Sequence, residues 1–528
     1  MRAMPRNISD RLAEMARLQP NRPAVIAGGR SVTFKELDDD VSRLASGFIG
    51  ERLCSGARVA LMVPPGVDFV AITFALFRAG AVPVLIDPGI GFTSLGRCLD
   101  EAAPEFFIGV LKAHVGRWLG GWGKKSLKRS FFSGNLPRAD PGPVARLEGE
   151  TAAILFTSGS TGAPKGAVYT HAIFNAQADL LRDHFGVAPG DVSVPTFPLF
   201  ALFDVALGMT AVIPEMDATR PGFVDPLRII EPIKRHGAVQ LFGSPALLDR
   251  ISRYGEARGV TLPSVKRVIS AGAPVPAKVV ERVLRMLGPE ARVHTPYGAT
   301  EALPVACWES GPEHRQAAQL TAEGKGLCVG SAMPGMRVRI IRITDESIER
   351  WSDELLVQDG TIGEIVVQGP VVSAEYFARR DATRFAKISG PSGEVLHRMG
   401  DLGYRDAQGR LWFCGRKSQR VVTAQGESFT IPCEGVFNAH PKVRRSALVG
   451  VGRNPKTPVL CVEVEAACDE RQLEKELLEL AGRRPHTRGI KKILFHPRFP
   501  VDIRHNAKIF RERLAVWAEA LLRGKGLD

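Results

Sequence analysis

A chain of 528 residues is too long for one ordinary hydrophobic core, so at least two domains are expected. Its apolar fraction of 45% and charged fraction of 24% are those of a soluble globular protein and exclude a disordered or fibrous one. The net charge of +14 admits nucleic acid, an anionic surface or an anionic substrate. Lys and Arg are spread along the chain without a zinc-finger or aromatic RNA-binding signature, so nucleic acid drops out and a basic solvated surface is the plain reading.

In chain order, the N-terminal MRAMPRNISDRLAEMARLQP carries Asp10 and Glu14 and lacks the apolar core of a secretory signal. The eight cysteines (54, 98, 307, 328, 414, 433, 461, 468) never fall at C-x-x-C spacing, which points to reduced thiols and a cytoplasmic protein. ARVALMV (57–63) is strand-like and VDFVAITFALFRAG is helical. The most apolar window, Phe69 to Phe77, ends at Arg78, far short of the roughly 20 residues a membrane span needs. AVPVLID (81–87) is the next strand. The segment 111–132, LKAHVGRWLGGWGKKSLKRSFF, mixes Trp118, Trp122, Phe131 and Phe132 with Lys124, Lys125, Lys128 and Arg129. That mixture suits peripheral contact with a membrane or an acidic partner; a surface helix whose aromatics reach the core is the other reading. AVQLF (238–242), KRVIS (266–270) and RVHTPYG (292–298) continue the alternation of strands and helices.

This rhythm predicts an α/β fold with helix-covered parallel sheets, in which ligands lie at the carboxyl ends of strands. After about 330 the strands RVRIIRI (337–343), GEIVVQG (363–369) and GRLWFCGRK (409–417) are short and turn-separated, a small β-rich part. From about 418 come strands at 446–452 and 459–465, a helix at 470–482, a strand KILFH and a closing helix at 507–522. The expected division is a large domain, 1–416, and a small mobile α+β domain, 417–528, without internal repeats.

The most informative stretch is ILFTSGSTGAPKG, where a short apolar run stops at Thr157. Gly159, Gly162 and Gly166 permit close backbone approach, and successive N–H groups in such turns form an anion-binding concavity. Thr157, Ser158, Ser160 and Thr161 add hydroxyls, and Lys165 adds a charge. A Walker A loop is excluded, because Lys165 lies between Pro164 and Gly166. A surface linker seldom follows directly on a buried strand, so polyphosphate binding is the reading taken.

TSGSTGAPKG resembles the phosphate loop of the AMP-forming adenylating superfamily of acyl-CoA synthetases, luciferases and peptide-synthetase adenylation domains. SAGAP (270–274), YGATE (297–301), GDLGY (400–404) with GRK (415–417), and Lys508 in NAKIFRE follow in that family's order. The resemblance implies ATP and Mg²⁺ as cofactors. Thr157, Ser158, Gly159, Ser160, Thr161, Gly162 and Lys165 would hold the β- and γ-phosphates. Gly272, Ala273 and Pro274 would line the adenine, and Tyr297, with Gly298 beside it, would stack on it. Thr300 would contact the α-phosphate and Glu301 would ligate Mg²⁺. Asp401 would bind the ribose hydroxyls with Arg416 nearby, and Lys508 would bridge carboxylate and α-phosphate. Independently of any family, a carboxylate attacking a phosphate is anion meeting anion, and cations must offset the repulsion.

The chain departs from that pattern in three places. FPLFALFD (197–204) has Ala201 where the family has a gating histidine. Ser418 stands at the hinge, and RVVTAQGESFTIPCEG lacks the K-x-x-G spacing of the thiol-accepting half-site. PVDIRHNAKIFRE places Asp502, Arg504 and His505 beside Lys508. These departures resemble the β-lactone synthetases of bacterial long-chain olefin biosynthesis. That likeness implies adenylation of a long-chain 2-alkyl-3-hydroxyalkanoic acid and attack by its own 3-hydroxyl, with work beside an α/β-hydrolase-type decarboxylase and a ketone reductase. His505 is a candidate to assist the hydroxyl, weighed against a structural role. Phe197, Phe200 and Phe203 are candidates to line the acyl pocket, weighed against core packing. A long-chain acyl-CoA synthetase or acyl-AMP ligase, and a non-catalytic nucleotide-binding protein, stand as alternatives.

Overall fold

Every residue of the helix Val67–Ala79 except Asp68 is buried. VDFVAITFALFRA has no polar face, and a helix that is apolar all round must be enclosed. It is enclosed between two sheets, whose strands at Val25 and Ala211 on one side and Val59 and Ala152 on the other share one core with it. The helix Phe34–Gly50 packs beside it, started by a capping box in which Thr33 Oγ1 accepts from the Glu36 N–H and the Glu36 carboxylate accepts from the Thr33 N–H.

The computed structural model describes residues 7–53, 55–142, 151–157, 163–311, 313–501 and 508–524. The smaller sheet has the order Arg129–Phe132, Phe106–Gly109, Arg58–Met62, Val82–Leu85, Thr151–Phe156, Gly166–Thr170, and all but the last pair run parallel. The larger sheet has the antiparallel edge strand Arg30–Thr33 and then a parallel run, Pro23–Ala27, Thr210–Ile213, Val192–Pro195, Gln240–Phe242, Arg267–Ile269 and Arg292–Ala299. It then turns antiparallel through Ala302–Glu309, Leu327–Ala332, Leu411–Arg416, Val395–Arg405, Gly363–Gln368 and Arg337–Ile341. The α/β architecture with a small β-rich part is therefore as the sequence rhythm predicts. Among the described residues no helix is long and apolar enough to cross a membrane.

A separate sheet of Val443–Val451, Thr457–Val464 and Lys492–Phe495 carries the helices Thr430–Asn438, Glu470–Gly482 and Arg511–Gly524. One local expectation needs correction. The closing helix begins at Arg511, not at 507, because Ile509 pairs with Val501 and the Phe510 N–H donates to Pro500 O at 2.9 Å. Lys508 thus stands ahead of the helix and not in its first turn. The helix Thr430–Asn438 was not legible in TIPCEGVFN; its proline falls in the first turn, where no intrahelical N–H is required, and Cys433, Val436 and Phe437 bury its inner face.

Candidate active site

The glycine-rich loop joins two antiparallel strands, Thr151–Phe156 and Gly166–Thr170, so it is the tip of a hairpin rather than a strand-to-helix turn. Its base is closed twice: the Thr157 N–H donates to Lys165 O at 2.9 Å, and the Lys165 N–H donates to Thr157 Oγ1 at 3.1 Å. Ser158, Gly159, Ser160, Thr161 and Gly162 lie outside the described residues, as do Asp502, Arg504 and His505.

A second hairpin, Arg292–Ala299 with Ala302–Glu309, carries Tyr297, Gly298, Thr300 and Glu301. Its register shifts between Tyr297 and Ala299. A Cβ on Gly298 would meet Ala302 O at 2.5 Å, so this tight turn admits no side chain there. The parallel neighbour Arg267–Ile269 leads into the turn of Gly272, Ala273 and Pro274, with Gly272 at φ 94°. Adenine-side turn and Tyr297 therefore leave adjacent strands.

The segment Val372–Phe377 ties the two hairpins together. The Phe377 N–H donates to Gly166 O at 2.7 Å and the Val168 N–H to Glu375 O at 3.1 Å, while the Ser373 N–H donates to Glu301 O at 2.9 Å. From this strap Tyr376 donates its hydroxyl to Glu301 Oε1, and Lys165 Nζ lies 4.8 Å from the Tyr376 ring centroid. Behind it the buried Lys387 donates to Ser373 O, and burial pushes its ammonium down to about 7 against the pull of Glu301.

Asp401 and Arg416 face each other on paired strands, with Arg416 Nη1 3.0 Å from Asp401 Oδ1. Tyr297 donates its hydroxyl to Asp401 Oδ2 at 2.6 Å. Burial raises the Asp401 carboxyl, while Arg416, the Tyr297 hydrogen bond and Lys508 pull it back. Burial first, then Asp401, raises the Tyr297 phenol well above its ordinary value, so it stays a donor. Asp401 also raises Arg416. The Glu301 charge pushes the same carboxyl up and the Lys508 charge pulls it down. The structure thus joins Tyr297, Asp401 and Arg416 by direct contact, and Thr157, Lys165, Glu301 and Tyr376 around the strap, with the Glu301 charge also acting on Asp401 and Arg416; Tyr169 Oη, on the first hairpin, donates to Thr300 O on the second at 2.6 Å.

The donor chemistry fits a magnesium nucleotide. Asp401 Oδ1 is buried and, despite its ion pair, makes no hydrogen bond, an acceptor suited to a ribose hydroxyl. Among the described residues no group of three or more His, Cys, Asp or Glu could hold a metal by itself. Glu301 alone matches the habit of Mg²⁺, which takes one or two carboxylates and fills its shell with phosphate and water.

Residues 12–377 match the family of AMP-binding enzymes. The chain belongs to that family. It is an AMP-forming ligase by this membership and by its relatives. It is similar to an olefin beta-lactone synthetase of Stenotrophomonas maltophilia (strain K279a), at 47% identity over 98% of this chain and 99% of the relative. The protein of that name in Xanthomonas campestris pv. campestris is 46% identical, with 97% of each chain covered. Among solved structures, O-succinylbenzoate coenzyme A synthetase of Bacillus subtilis in complex with ATP and magnesium ion has a TM-score of 0.77 at 20% identity, over 96% of this chain and 98% of that one, a likeness of fold.

Phe197, Phe200 and Phe203 are half-buried and pack on the same core as Ala271, Tyr297 and Ala299. Phe200 stacks on Phe242 with ring centroids 3.5 Å apart. Ala201 is buried on the helix Pro198–Ala206. Tyr169, Phe242, Tyr376 and Lys387 are site neighbours that motif reading missed. One signal was available: the chain has 26 Phe and only 5 Tyr, and three of those tyrosines, at 169, 297 and 376, give their hydroxyls to site residues.

Proposed function

We propose that this ligase activates a long-chain 2-alkyl-3-hydroxyalkanoic acid with ATP and closes it to a β-lactone. The observation that carries the choice of product is the identity, across nearly the whole chain, with two β-lactone synthetases. In the first step the carboxylate oxygen attacks the α-phosphorus and pyrophosphate leaves. Lys165 would hold the outgoing phosphates and Lys508 would bridge the two anionic reactants, lowering their repulsion. A Mg²⁺ held by Glu301 would neutralise phosphate charge and polarise the phosphoryl oxygens. Tyr297, Asp401 and Arg416 would fix the nucleoside.

In the second step the 3-hydroxyl oxygen bonds to the acyl carbon, the bond from that carbon to the AMP oxygen breaks, and the hydroxyl proton passes to water or to a nearby base. His505 is proposed as that base from its place beside Lys508 in the sequence. Closing a four-membered ring needs nucleophile and carbonyl pressed together away from water, and the Phe197, Phe200, Phe203 and Phe242 group, which packs on the same core as Tyr297, would supply aromatic walls for it. Ala201 leaves out the bulky gate of thioester-forming relatives.

Mass spectrometry of the product from ATP and a 2-alkyl-3-hydroxy acid, without any thiol, tests the proposal. A lactone with equimolar AMP and pyrophosphate is expected. Product formation that depends on coenzyme A would replace it with an acyl-CoA synthetase. The resemblance also supports association with a hydrolase-type decarboxylase and a ketone reductase, which copurification would reveal.

A further inference from the structure

The helix Leu111–Gly120 is mounted with its apolar side outward. Leu111, Val115, Trp118 and Leu119 follow the i, i+4, i+7, i+8 spacing that makes one stripe along a helix. They are 68%, 48%, 78% and 68% exposed. The opposite side, which a surface helix ordinarily fills with apolar residues, carries His114 and Arg117 here. His114 Nε2 is 3.0 Å from Phe131 O, its ring lies 5.0 Å from that of Phe107, and the Arg117 guanidinium sits 5.4 Å from the Phe107 ring. Gly116 and Gly120 let the helix lie directly on the buried Trp122. The aromatics of the segment therefore divide: Trp122 and Phe131 belong to the core, and Trp118 and Phe132 face water.

Along this segment the charge is of one sign, although the exposed Asp100 of the neighbouring helix reaches it by accepting from the Gly123 N–H at 3.3 Å. From Phe106 to Ala139 there is no Asp or Glu, against seven Lys and Arg. Lys128 and Arg129 are paired with Glu105 and Glu51, but Lys112, Lys124 and Lys125 are exposed and have no ion pair among the described residues. The strand beside the helix, Arg129–Phe132, is the edge of its sheet, and Phe132 is 50% exposed.

We infer that this face docks the enzyme on an anionic lipid surface. A convex stripe of leucine, valine and tryptophan flanked by unpaired lysines is the pattern of a helix lying in a bilayer interface, with the indole at the headgroup level and the lysines on the phosphates. A protein partner for so basic a rim would have to be acidic and supply a groove to receive a projecting Trp118. The lipid surface satisfies both halves of the pattern at once. The inference stands on this face alone and does not depend on which acid the site activates.

The test is flotation of the full-length protein with vesicles of phosphatidylcholine, alone or mixed with phosphatidylglycerol. Binding to the anionic vesicles is expected to exceed binding to the neutral ones by about tenfold and to weaken with salt. Trp118→Ser with Leu119→Ser should abolish it, and Lys124→Glu with Lys125→Glu should lower it about tenfold on anionic vesicles, since reversing two charges changes a surface attraction by at least that much. Pyrophosphate release with a water-soluble short acid should be unchanged in both double variants, which also reports that they fold. No binding to either vesicle overturns the inference, as does binding that the serine variant retains. A dimer in sedimentation that the serine variant loses, with no vesicle binding, assigns the face to a second copy of the chain and overturns it too.

Discussion

Tyr376 shows how much of the site rests on a residue with no motif around it. Its hydroxyl orients Glu301, its ring carries Lys165, and its backbone belongs to the strap joining the two hairpins. Burial, then Glu301, holds the phenol far above its ordinary value, so it remains a donor at any working pH. Removing one hydrogen bond to a charged group costs about 1.5–3 kcal/mol, so Tyr376→Phe should lower kcat/KM for pyrophosphate release at limiting Mg²⁺ by roughly tenfold or more. Kinetics across a Mg²⁺ titration would check this, and high Mg²⁺ should restore part of the rate. Lys508→Ala should reduce pyrophosphate release by about a hundredfold or more while ATP binding stays nearly intact. Equal loss of both, measured by calorimetry and by phosphate assay, would make the lysine structural.

Among elements, the hairpin at 297–302 is the one whose shape the chemistry depends on. The sequence marks its residues through YGATE, but nothing local states that Arg292–Ala299 turns back as an antiparallel partner while its other neighbour is parallel. Gly298 is the hinge of that change. Gly298→Ala would push a methyl into Ala302 O and displace Glu301, at a cost of about 1–3 kcal/mol as for other overpacked positions. Loss of turnover with a modest fall in the unfolding midpoint is expected, by activity assay and calorimetry. The glycine-rich loop is a second case. Its composition was legible, but that it caps a hairpin was not, because pairing with Gly166–Thr170 is decided by the sheet and by the 372–377 strap. The start of the last helix was misplaced for a similar reason: AKIFRE is helix-compatible by composition, and the pairing of Ile509 with Val501 overrides it.

At the scale of the whole molecule, two sheets enclosing one apolar helix create an interior dry enough to hold a neutral acid. Asp204, buried on the helix Pro198–Ala206, has one carboxylate oxygen without a partner, and burial pushes it up to about 7. The folded protein thus keeps this proton while the unfolded chain releases it near 4. Between those values stability falls as pH rises, by up to about 1.4 kcal/mol per pH unit from this group. Asp204→Asn should remove that decline, leaving the variant no more stable than the parent near pH 4 and relatively more stable above pH 7. Urea unfolding at the two pH values would measure the difference.

The sequence by itself determined the alternation that builds parallel sheets, the glycine-rich loop, and the order of the nucleotide motifs, because these depend on local periodicity and on residue types that a phosphate or a ribose requires. Only the tertiary structure decided that Tyr376 holds Glu301, that Tyr297 meets Asp401 across 104 positions, and that the 111–120 helix turns its apolar stripe to water. Those facts are set by which strands become neighbours and which side of a helix finds a core to cover. Such contacts join residues far apart in the chain, and no local pattern encodes them.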